Sequence, residues 1–172
     1  MKKLLAVIVL LTLTLIPESC LRQPPSVEDV ESFMKKNWNE IVVVNDYLLG
    51  FENKDVLIYH DRFHDEDEIL VDLDHQRIED DAVLEALRSL YKAGCDGVYK
   101  SIDDTVNKNA IIYRIWRRDN GGVSCGFVYA IDHTQPPELQ YQTELVALSI
   151  EGWYYYVENY EEWRYQQHRN ND

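Results

Sequence analysis

Apolar residues recur at intervals of three and four through Val30, Phe33, Ile41, Val44, Tyr47 and Leu48, with Asn37 occupying one position of the same stripe. That period predicts one long helix over 27–49. Ser26, with Asp29 three residues on, supplies its start signal, and Gly50 supplies its stop. The run Ile41-Val42-Val43-Val44 favours extended chain by its branched side chains, but the unbroken helical spacing on both sides outweighs it.

The next two apolar runs, Val56–Tyr59 and Ile69–Leu73, flank the polar stretch RFHDEDE and predict a hairpin. A second helix follows, with Glu79, Asp80 and Asp81 at its start, the stripe Val83, Leu84, Leu87, Leu90 and Tyr91, and Gly94 at its end. Extended segments are expected at 97–102, 109–117 and 123–132. Asn107-Lys108 and Asn120-Gly121-Gly122 mark the turns between them. Two more strands, 143–149 and 152–158, meet across Glu151-Gly152. A short helix from Tyr160 to Gln167 and a frayed tail over 168–172 complete the chain.

Helix, hairpin, helix and then consecutive strands define an α+β domain: a largely antiparallel sheet with a long N-terminal helix and a second helix packed on one face. The chain of 172 residues divides into an export signal (1–19), a tether (20–26), a single domain (27–167) and the tail. No internal repeat or low-complexity segment interrupts it.

The first segment explains itself by charge and hydropathy. Lys2 and Lys3 precede an uncharged run from Leu4 to Ile16, the layout of an export signal. As a helix that run reaches roughly 20 Å, short of the roughly 30 Å hydrocarbon core of a bilayer. It ends in LIPESC, where Ser19 stands immediately before Cys20. Those residues resemble a bacterial lipoprotein signal, which implies a diacylated Cys20 at the mature N-terminus and a domain tethered outside the cell membrane. Pro17 and Glu18 depart from that pattern, so a soluble secreted form and an uncleaved anchor stand as alternatives.

Cysteine parity bears on the same question. With Cys20 lipidated, Cys95 and Cys125 remain as an even pair suited to a disulfide in an exported chain; the alternative is two buried free thiols. The formal net charge of −14 sets the chain against nucleic acid and anionic membrane surfaces, so no nucleic-acid partner is expected.

Three stretches carry candidate chemistry. In YHDRFHDEDE, His60, His64 and Glu68 are the residues best able to approach a metal ion, although the spacing matches neither a zinc-protease helix nor a calcium loop. A charged, solvated hairpin tip is the plainer reading, and no cofactor is expected. YRIWRRD places Arg114, Arg117 and Arg118 beside Trp116, either as a platform for an anionic or sugar ligand or as partners for the chain's own carboxylates. EGWYYYVENYEEWRYQQ concentrates aromatic residues. Strand alternation sends Trp153 and Tyr155 to one face and Tyr154 and Tyr156 to the other, with Tyr160 and Trp163 spaced to fold back over the second face. Such residues build either core or an exposed binding face.

No serine sits in a nucleophile elbow, and no glycine-rich phosphate loop is present. The expected function is a non-catalytic interaction domain that binds a protein or a cell-surface polymer, with Trp116, Arg117, Arg118, Trp153 and Tyr155 as the contact surface. A secreted metal-dependent hydrolase is one alternative. An acidic inhibitor or immunity-type protein for a basic partner is another.

Overall fold

Ser26 opens the first helix, α1 (Val27–Lys36), through a reciprocal cap. Its hydroxyl accepts from the Asp29 N–H at 3.2 Å, and the Asp29 carboxylate accepts from the Ser26 N–H at 3.0 Å. The computed structural model describes residues 23–52, 55–61, 68–71, 76–103, 108–118, 122–132 and 135–169. The long helix expected over 27–49 is divided at Asn37, beyond which α2 (Trp38–Leu49) begins. Asn37 leaves helical geometry (φ −115°, ψ 25°), and its side-chain amide donates to the Phe33 carbonyl at 2.8 Å. The Phe33 carbonyl also accepts from the Asn37 N–H at 3.1 Å, and the Ile41 N–H reaches the Asn37 carbonyl at 3.0 Å, so the turn is distorted at Asn37 while the ladder runs across it.

The end of α2 is closed by a residue far along the chain. Lys100, 3% exposed, donates from Nζ to the Leu48 carbonyl at 3.0 Å and to the Phe51 carbonyl. A cation at the negative end of a helix dipole is favourable, and burial lowers the Lys100 pKa while Asp55 and Glu52 oppose that shift. The third helix, α3 (Asp81–Ala93), starts at Asp80, whose carboxylate accepts from the N–H groups of Ala82 and Val83. It ends at Gly94 in the left-handed region (φ 114°), which a glycine adopts without a Cβ penalty.

The strands are β1 (Val56–Asp61), β2 (Glu68–Val71), β3 (Gln76–Arg77), β4 (Gly97–Asp103), β5 (Lys108–Arg118), β6 (Val123–Ala130), β7 (Gln142–Ala147) and β8 (Trp153–Asn159). They form one antiparallel sheet in the order β3-β2-β1-β4-β5-β6-β8-β7. The last helix, α4 (Tyr160–Arg169), continues through His168 and so extends into residues assigned to the frayed tail. The fold is therefore α+β, with an antiparallel sheet.

Alternation along the strands splits the core into two. Val98, Ile111, Tyr113, Phe127, Trp153 and Tyr155 face the helices and meet Val30, Met34, Ile41, Val44 and Leu87. Ala110, Ile112, Val128 and Tyr156 face the other way and pack with Leu139 from the connection between β6 and β7. Between Arg114 and Trp116 the β5–β6 register shifts, and Gly126 lies opposite Arg114 at that irregularity. A Cβ on Gly126 would stand 1.9 Å from the Tyr113 carbonyl oxygen, so the close approach of the two strands requires glycine.

Candidate binding groove

Helical spacing puts Glu28, Glu31, Lys35 and Trp38 on one flank of α1 and the start of α2, beside the buried stripe of Val30 and Met34. The turn between β7 and β8 comes up against that flank. Its Ser149 N–H donates to the Glu31 carboxylate at 2.8 Å, which ties the turn to α1. Between them lies a groove of about 580 Å³, lined by Glu28, Glu31, Met34 and Trp38 on the helix side and by Leu148 and Ile150 on the turn side. That volume is within the roughly 300–1,000 Å³ range of ligand sites. Trp38 is held edge-on to Trp153, ring centroids 5.7 Å apart, so the indole in the groove wall is braced from beneath.

The aromatic face expected at Trp153 and Tyr155 is core. Each is 4% exposed, because α1 and α2 cover the face of β8 to which alternation sends them. The Tyr155 hydroxyl donates to the Pro25 carbonyl at 3.0 Å, and burial, with Cys125 and Glu144 adding to it, pushes that hydroxyl up to about 12. Tyr160 and Trp163 meet the ring of Tyr141, at 5.0 and 5.3 Å.

The arginines pair within the chain. Asp96 accepts from Arg114 Nε at 2.9 Å and lies 3.3 Å from Arg117 Nε, while the Arg118 guanidinium sits 5.9 Å from the centre of the Trp116 ring. Arg117 is 53% exposed at its side chain, so its ion pair is worth at most about 1 kcal/mol. Cys95 and Cys125 are free and buried, not bonded to each other. Cys95 sits at the corner before β4, its thiol donating to the Gly97 carbonyl at 3.6 Å, and Cys125 sits within β6. Burial pushes each thiol up to about 12.

Of the metal candidates, the backbone of His60 lies in β1 opposite Ile69, and that of Glu68 lies in β2 opposite Asp61. His64 and Cys20 lie outside the described residues, among which no group of three or more metal-binding side chains gathers.

A polar row crosses the opposite face of the sheet. Ser124 donates to the Glu158 carboxylate at 2.8 Å. Burial raises the Glu158 pKa above its ordinary 4.5, and Ser124 and Arg114 act against that rise. A carboxyl raised in the folded state binds more protons there than when unfolded. Its contribution to stability is thus present below about pH 4.5 and is lost as pH climbs through the raised value. Urea unfolding of the native chain and Glu158→Gln across that window tests this: the native chain is expected to lose stability relative to the variant as pH rises. Parallel profiles would show that Glu158 titrates as it does in the unfolded chain.

Sequence reasoning missed the groove. A tryptophan at 38, outside the apolar stripe of its own helix, was the available signal, but its second wall comes from residues more than a hundred positions away. Comparison of the chain with protein-family models, curated proteins and solved structures finds no match. Among the described residues no helix is long and apolar enough to cross a membrane.

Proposed function

We propose that this protein is an exported, non-catalytic binding domain, tethered to the outer face of a bacterial membrane through a diacylated Cys20, and that it holds a protein partner in the groove between α1–α2 and the β7–β8 turn. The observation that carries the reading is the groove itself: a braced tryptophan, an aliphatic floor and carboxylates at its rim, in a volume suited to side chains of a partner. Indoles in such settings supply large contact area at low conformational cost. Glu31 is engaged by a backbone N–H, an arrangement that shapes a wall and activates no nucleophile. The tether, 20–26, ends at Ser26 directly before α1. Seven residues span at most about 25 Å, which keeps the groove near the anchoring surface.

Photo-crosslinking on intact cells tests the site. A photoreactive residue at exposed Ser32, which lines the groove, is expected to capture a defined cell-surface partner, and the same residue at exposed Arg88 on α3 is expected to capture none. Equal capture from both positions, or none from Ser32, would overturn the groove as the partner site. The intact mass of the membrane-bound protein tests the tether separately. A diacylglyceryl group on an N-terminal Cys20 is expected, and a bare N-terminus recovered from the medium would remove the anchor from the proposal.

A further inference from the structure

The groove lining is of two kinds, acidic and apolar, and their chemistry narrows the ligand. Glu28 and Glu31 stand one turn apart on α1. The tie from the Ser149 N–H to Oε1 of Glu31 fixes that carboxylate and leaves its second oxygen for another donor. Trp38, Met34, Leu148 and Ile150 give the same groove its apolar lining. An anion is repelled by the carboxylates, a hydrated metal ion finds no match in the apolar lining, and a purely apolar group makes no use of the carboxylates. Resting on the reading above, we propose that the groove takes a short peptide segment of the partner in which an arginine or lysine lies next to apolar residues.

The basic side chain reaches Glu28 and Glu31 while its stem and apolar neighbours cover Trp38 and the aliphatic floor. A guanidinium also stacks on an indole face, so arginine is preferred over lysine. Lys35 lies one turn beyond Glu31 and lines the same groove. Its charge sets the direction of the ligand, with the basic residue at the α1 start and carbonyl oxygens toward Lys35. The net charge of −14 draws such a segment in from a distance and makes capture sensitive to salt.

Three capped tripeptides, Leu-Arg-Leu, Leu-Gln-Leu and Leu-Glu-Leu, distinguish the possibilities when titrated into the isotope-labelled protein while backbone amide resonances are followed. The arginine peptide is expected to shift resonances of α1 and of Leu148, Ser149 and Ile150, and to bind about tenfold more weakly to the Glu28→Gln, Glu31→Gln double variant. Binding should weaken again at raised salt. Glutamine at 31 retains an acceptor for the Ser149 N–H, so the groove keeps its shape, and an unchanged melting temperature confirms that. If the glutamine peptide binds as tightly as the arginine one, the basic class is wrong and the groove reading stands. If no peptide moves these resonances at millimolar concentration, the class is overturned, and capture from Ser32 decides the groove independently.

Discussion

Gly126→Ala is expected to destabilise the domain by about 3 kcal/mol or more, the loss typical of overpacking where the surroundings cannot yield. The new methyl would meet the Tyr113 carbonyl oxygen at 1.9 Å, the Tyr113 carbonyl carbon at 3.0 Å and Arg114 Cα at 3.2 Å, all of them backbone atoms. Relief requires β5 to move from β6 at the middle of the sheet. Tyr113 resists that movement because it is fully buried and stacked on Phe127 at 4.8 Å. Gly50→Ala serves as the comparison. Its backbone is in the ordinary helical region, and its nearest contact is the Tyr47 carbonyl at 3.2 Å. A change within about 1 kcal/mol is expected there. Urea midpoints measured for both variants decide the matter: a Gly126→Ala protein as stable as Gly50→Ala would mean that the strands separate freely at this point.

The second large effect is expected at Trp153→Ala, a loss of about 4 kcal/mol. The ring lies 5.7 Å from Trp38, 5.7 Å from Phe127, 5.9 Å from Tyr113 and 5.0 Å from Tyr129, centroid to centroid. Removing it leaves a void bounded by four other aromatic rings, which cannot all turn inward to fill it. Arg118→Ala, at an exposed position beside Trp116, is expected to change stability by no more than about 0.5 kcal/mol. Thermal unfolding of the two variants separates a core residue from a surface one. A Trp153→Ala domain that melts with the native chain would restore the aromatic face as a surface. Because Trp153 also braces Trp38, the conservative Trp153→Phe is the variant to carry into peptide titrations.

Much of this architecture is legible residue by residue. The Ser26–Asp29 cap, the Asp80 start and the Gly94 stop are local chemistry, and each is found where the sequence places it. The inward turn of Trp153 and Tyr155 follows from strand alternation, but what lies above them does not. Residues near position 38 cover residue 153, and a single sequence carries no record of that pairing. The same limit hid the groove, whose walls come from 28–38 and 148–150, and the Lys100 cap on α2, donated across half a hundred residues. Asn37 shows a different limit: it occupies a position on the apolar stripe, and periodicity carries no record of the distorted turn found there. The placement of β8 between β6 and β7 likewise has no local signature.

The two ends of the sheet have a bearing on how such a domain stays dispersed at high concentration. Among the described residues one margin is β3, with two residues, Gln76 and Arg77. The other is β7, where the ladder slips between Gln142 and Glu144 and places an exposed carboxylate beside the irregularity. A stub and a kinked, charged rim are poor templates for an added strand. Copies of the domain at high local concentration are thus discouraged from zipping edge to edge into aggregates, and contact with other molecules is left to side chains rather than to unpaired backbone.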